Sequence, residues 1–140
     1  MTELARKMVQ QARQCSARRE AFVYCLSTYF RDGGRCWKRI QKPLEEAGFD
    51  VREDYWQYCT VGVAIPKGAR KVRVRLQRDG FAPRRQGFNA IMHFLVEMGV
   101  EEIEFVVDYG PEHWQRWALQ EASEEWSRIR HAYRRARAVR

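Results

Sequence analysis

The sequence predicts a single α+β domain over residues 1–140, and three observations carry that prediction. Stretches with apolar residues every three or four positions interleave with shorter alternating stretches, so helices and strands both occur. Most glycines and prolines fall between these stretches. Hydrophobic residues make up 45% of the 140 and charged residues 31%, enough to fill one core and cover it with a solvated surface.

Thr2 to Arg19 reads as a helix, capped by Thr2, with Leu4, Met8, Ala12 and Cys15 along one face. Ala21 to Phe30 is dense in aromatic and β-branched residues and reads as a strand, with a helical continuation as the alternative. After the turn Arg31-Asp32-Gly33-Gly34, Arg35 to Ala47 carries Cys36, Ile40, Leu44 and Ala47 at helical spacing, with Pro43 breaking its regularity and Gly48 stopping it. Trp56 to Ile65 and Lys71 to Gln77 read as two strands of a hairpin joined through Pro66 to Arg70. Gln86 to Met98 is a helix ending at Gly99, and Glu102 to Asp108 alternates as a strand. Pro111 opens a long last helix striped by Trp114, Ala118, Ala122, Trp126, Ile129, Tyr133 and Ala136.

The middle six elements follow the β-α-β-β-α-β order of a ferredoxin-like core, to which an N-terminal helix and a long C-terminal helix are added. In that fold the strand order is 4-1-3-2. Lys71 to Gln77 and Glu102 to Asp108 would then lie two strand spacings apart, about 9.6 Å.

The formal charge is +8, from 26 basic and 18 acidic residues, and 21 of the 26 are arginine. Arginine grips phosphate through a planar two-pronged fork, although a G+C-rich coding sequence enriches it too. The chain has neither an apolar signal core at its start nor a run of the ~20 apolar residues that a membrane span requires, so a cytoplasmic or nucleoid protein is expected. Cys15, Cys25, Cys36 and Cys59 form no C-x-x-C pair and are expected as reduced thiols. His93, His113 and His131 have no metal-ligand spacing, and the glycines spell no nucleotide-binding loop, so no cofactor is expected.

The charge is unevenly placed. Lys67 to Arg85 holds a net +7, and Gln86 to Asp108 a net −5. Alternation puts Lys71, Arg73 and Arg75 on the strand face opposite Val72, Val74 and Leu76. Those cations either pair with Glu102 and Glu104 or form an open anion-binding face, and the 4-1-3-2 order favours the open face. The next loop joins Arg78, Phe81, Arg84 and Arg85 at a helix amino end, where unpaired N–H groups favour phosphate and an aromatic ring can stack on a base.

Nucleic-acid binding is therefore the leading expectation, with Arg70, Lys71, Arg73, Arg75, Arg78, Arg84 and Arg85 on phosphates and Phe81 stacking. Arg128, Arg130, Arg134, Arg135 and Arg137 form a secondary cluster, on a basic helical tail from residue 128 that is expected to fray. Two other readings remain open. One is a protein-interaction adaptor or inhibitor working through Trp114, Trp117 and Trp126. The other is a metal-dependent nuclease with Asp32 as ligand, although an aspartate before two glycines is more often a turn residue. A last helix about 42 Å long exceeds what one small globule readily covers, so a homodimer is also expected.

Overall fold

The computed structural model describes residues 2–27, 36–56, 59–76 and 84–138. Helix α1 (Glu3–Ala17) begins where the Thr2 hydroxyl accepts the Ala5 N–H at 3.1 Å. It buries Ala5, Met8, Val9 and Ala12. It ends at Ala17 with Arg18 as its cap, and the next residue, Arg19, takes a left-handed φ of 60°, with the Glu20 N–H closing onto the Cys15 carbonyl at 2.9 Å. Strand β1 (Phe22–Ser27), helix α2 (Cys36–Glu46), and strands β2 (Phe49–Trp56), β3 (Cys59–Pro66) and β4 (Lys71–Arg75) follow. The chain continues through helix α3 (Arg84–Glu97), strand β5 (Glu102–Val106) and helix α4 (Glu112–Ala138). Pro43 sits inside α2.

The fold is mixed α+β. β1, β3 and β2 form an antiparallel sheet in that order, and β4 and β5 form a parallel pair. A short parallel bridge joins the two sheets: the Ala21 N–H donates to Arg73 at 2.8 Å, and the Arg73 N–H donates to Arg19 at 2.9 Å. β3 is buried on both faces, which explains its nearly continuous apolar run. Ala64 packs with Met8, Phe22, Ile40 and Leu44 on the α1 and α2 side. Val61, Val63 and Ile65 pack with Ile91, Leu95, Trp126 and Ile129 on the α3 and α4 side.

This strand order does not reproduce the ferredoxin-like arrangement. The hairpin expected between 56–65 and 71–77 is absent, because β3 pairs with β1 and β2 while β4 pairs with β5. The element missed was β2. Its Phe49 and Val51 point into the core, but the charged run Arg52-Glu53-Asp54 hides the alternation.

One rung of the antiparallel sheet is polar. Tyr24 of β1 and Glu53 of β2 both face Gly62 of β3. The missing side chain lets the Tyr24 ring cross β3, where its hydroxyl donates to Glu53 Oε1. A Cβ on Gly62 would lie 2.4 Å from that ring. Gly62→Ala is therefore expected to cost about 1–3 kcal/mol in urea denaturation, the range for overpacked cores.

Burial pushes the Glu53 carboxyl up to about 7, helped by the charge of Glu45 and opposed by the Tyr24 hydroxyl. A carboxyl raised on folding contributes stability that is complete below its ordinary value near 4.5 and is lost as pH rises towards 7. The melting temperature should accordingly fall across that window, and Glu53→Gln should flatten the fall, as scanning calorimetry at several pH values would show.

Candidate nucleic-acid interface

The alternation of β4 is realised as expected: Val72 and Val74 are buried, while Lys71, Arg73 and Arg75 face outward. Their surroundings differ from the open face expected. β5 lies directly beside β4 in parallel register, with Lys71 opposite Glu102 and Arg73 opposite Glu104. Neighbouring strands are about 4.8 Å apart, so side chains in register meet.

The ion pairs follow from that register. Arg70 pairs with Glu101 at 3.6 Å, Lys71 with Glu102 at 3.8 Å and Arg73 with Glu104 at 3.2 Å. Arg75 reaches Glu20 at 2.6 Å and also contacts Asp108. Along this face Arg70, Lys71, Arg73 and Arg75 thus meet carboxylates from Glu20, Glu101, Glu102, Glu104 and Asp108. The local charge of the face is not positive, which corrects the expectation of an open cationic surface.

Glu20 is the most buried member, only 6% exposed. The hydrogen bonds from Arg75 hold its carboxyl below the ordinary range, and the Arg75 guanidinium is raised in return. Arg18 also lies 3.7 Å from Glu20.

Arg78 and Phe81 lie outside the described residues, as does Asp32. Arg84 and Arg85 occupy the first turn of α3, with their side chains outside the description.

The second cluster has a different outcome. α4 is helical to Ala138, and the spacing of Arg130, Arg134 and Arg137 places all three along one face. That face borders a groove of about 480 Å³, whose opposite wall is the Gly99 turn after α3 and the link before β4. Arg70 enters from that link, so the two basic clusters of the sequence converge here. Val96, Met98 and Val100 supply apolar lining, and Tyr133 stands among the arginines.

Two of these cations are held in place by aromatic rings one helical turn earlier. The Arg130 guanidinium lies 5.8 Å from the Trp126 ring centre, and that of Arg137 lies 5.4 Å from Tyr133. Among the described residues, Arg130, Arg134 and Arg137 form no ion pair, and Glu101, already engaged by Arg70, is the one carboxylate lining the groove. Arg128 and Arg135 point elsewhere on the helix, with Arg128 held by Glu125. The i, i+4, i+7 spacing was visible in the sequence, but the meeting with Arg70 depends on tertiary structure.

Among the described residues no three His, Cys, Asp or Glu side chains are grouped to hold a metal ion. No described helix is long and apolar enough to cross a membrane. A scan of protein-family models and searches of curated proteins and of solved structures return no significant match.

The ion pairs of the β4 face differ widely in environment, and their removal should differ accordingly. Lys71 and Glu102 have side chains 70% and 69% exposed, so Lys71→Met should change stability by less than about 0.5 kcal/mol. Arg75→Met removes the hydrogen-bonded partner of Glu20 and leaves it the more distant Arg18 and Arg73, which should cost about 1–3 kcal/mol. Chemical denaturation of the two variants measures the contrast.

Proposed function

We propose that this protein binds nucleic acid through the groove between the end of α4 and the Gly99 turn, with Arg130, Arg134 and Arg137 holding backbone phosphates. The observation that carries this reading is the gathering of Arg130, Arg134 and Arg137, which form no ion pair among the described residues, on a groove whose one lining carboxylate is already engaged by Arg70. Arginines without a protein anion are the ones able to exchange counterions for phosphates. The rings of Trp126 and Tyr133 keep two of them oriented, which reduces the ordering cost on binding.

The paired cations Arg70, Lys71, Arg73 and Arg75 are assigned a lesser part, because a phosphate must compete there with carboxylates already in place. Arg78, Phe81, Arg84 and Arg85 stay in the proposal on sequence grounds alone, as a second contact surface for backbone and base. Arg128 and Arg135 add long-range attraction rather than groove contacts.

Salt dependence tests the reading. If Arg130, Arg134 and Arg137 each neutralise a phosphate, their joint replacement by alanine should reduce the slope of log K against log salt by about 2–3, whether the ligand is single-stranded or duplex. Affinity at low salt should fall at least tenfold. The Arg128→Ala, Arg135→Ala double variant should change the slope much less. Equal losses in the two variants, or an unchanged slope in the first, would contradict the groove assignment; fluorescence anisotropy with labelled oligonucleotides gives both readouts.

A further inference from the structure

The face of α4 turned away from the core has no cover within the chain. His113, Trp117, Glu121, Glu124, Arg128, His131 and Arg135 are all exposed, and their spacing sets them along one stripe of the helix. Trp117 is 52% exposed, one of two large hydrophobic side chains left open to solvent among the described residues. Its indole is the apolar member of an otherwise polar stripe.

The helix is also strongly polarised. Residues 112–125 carry Glu112, Glu121, Glu124 and Glu125 against Arg116, a net −3. Residues 126–138 carry Arg128, Arg130, Arg134, Arg135 and Arg137 and no acid, a net +5. Two such helices laid parallel would place like charges together. Laid antiparallel, each acidic half meets a basic half.

We infer that the outer face of α4 pairs antiparallel with the same face of a second copy of this chain, around a two-fold axis at the level of Trp126. In an isologous pair every contact occurs twice. Positions equidistant from 126 then face one another: Glu124 meets Arg128 of the second copy, Glu121 meets His131, and Trp117 meets Arg135. The first is an ion pair, the second sets an imidazole beside a carboxylate, and the third sets a guanidinium over an indole face, the strongest aromatic acceptor for a cation.

The contact from 117 to 135 spans about 27 Å of helix at 1.5 Å per residue. In the single chain Arg128 contacts Glu125 and Gln120 donates to Glu124, so both side chains already stand in ordered positions on this stripe. Arg130, Arg134 and Arg137 lie on the flank of the helix and line the groove, which the pairing leaves open.

Charge reversal tests both the pairing and its register. Wild-type protein should show a concentration-dependent dimer by sedimentation equilibrium. Trp117→Ala, Glu124→Arg and Arg128→Glu should each weaken the dimer at least tenfold. An equimolar mixture of the Glu124→Arg and Arg128→Glu chains should dimerise again, because in the mixed pair both contacts are complementary, and misfolding of either variant would not give that rescue. A wild type that stays monomeric at every concentration overturns the inference. So does a dimer indifferent to the single reversals, or single variants that do not recover on mixing.

Discussion

The parallel register of β4 on β5 is the constraint from which most of the surface chemistry follows. Once Val72 and Val74 are committed to the core, Lys71 and Arg73 must face outward, and the register sets Glu102 and Glu104 beside them. Arg75 extends the ladder to Glu20, in the segment that bridges the two sheets. The same interaction therefore neutralises the sheet face and reinforces the junction between the antiparallel and parallel sheets. A chain with a formal charge of +8 leaves its most cationic strand locally balanced.

With that strand neutralised, α4 carries three arginines, Arg130, Arg134 and Arg137, that form no ion pair among the described residues. Trp126 and Ile129 anchor the helix on the core formed by α3, β3 and β4. Anchoring one face determines the rest: the arginines on one flank line the groove, and the opposite face, with Trp117, Glu124 and Arg128, is turned to solvent. One helix thus carries two separate surfaces. The groove brings together residues from distant parts of the sequence, and the outer face runs from acidic to basic along its length.

Local signals in the sequence were legible where they were self-contained. The Thr2 cap, the stop at Gly99 and the alternation of 71–75 and 102–106 all correspond to observed elements. β2 was not legible, because Arg52, Glu53 and Asp54 interrupt its pattern while Phe49 and Val51 supply its burial. Without β2, β3 had no hairpin partner except β4, and the ferredoxin-like order followed. That order separated β4 from β5 and so made an open cationic face appear favourable. The complementary alternation of Glu102 and Glu104 held the correct pairing, but sequence alone gives no strand adjacency. The groove was hidden for a similar reason: Arg70 and Arg130 are 60 positions apart, and only tertiary structure brings them to one cavity.

We propose that nucleic acid meets the α4 groove rather than the β4 face. Amide and guanidinium resonances followed by NMR during titration with a short oligonucleotide test it most directly. The largest shifts are expected at Arg130, Arg134 and Arg137 and around Gly99, with Arg73 and Arg75 nearly unmoved. Shifts centred on Arg73, Arg75 and Glu104, with the groove silent, would contradict it.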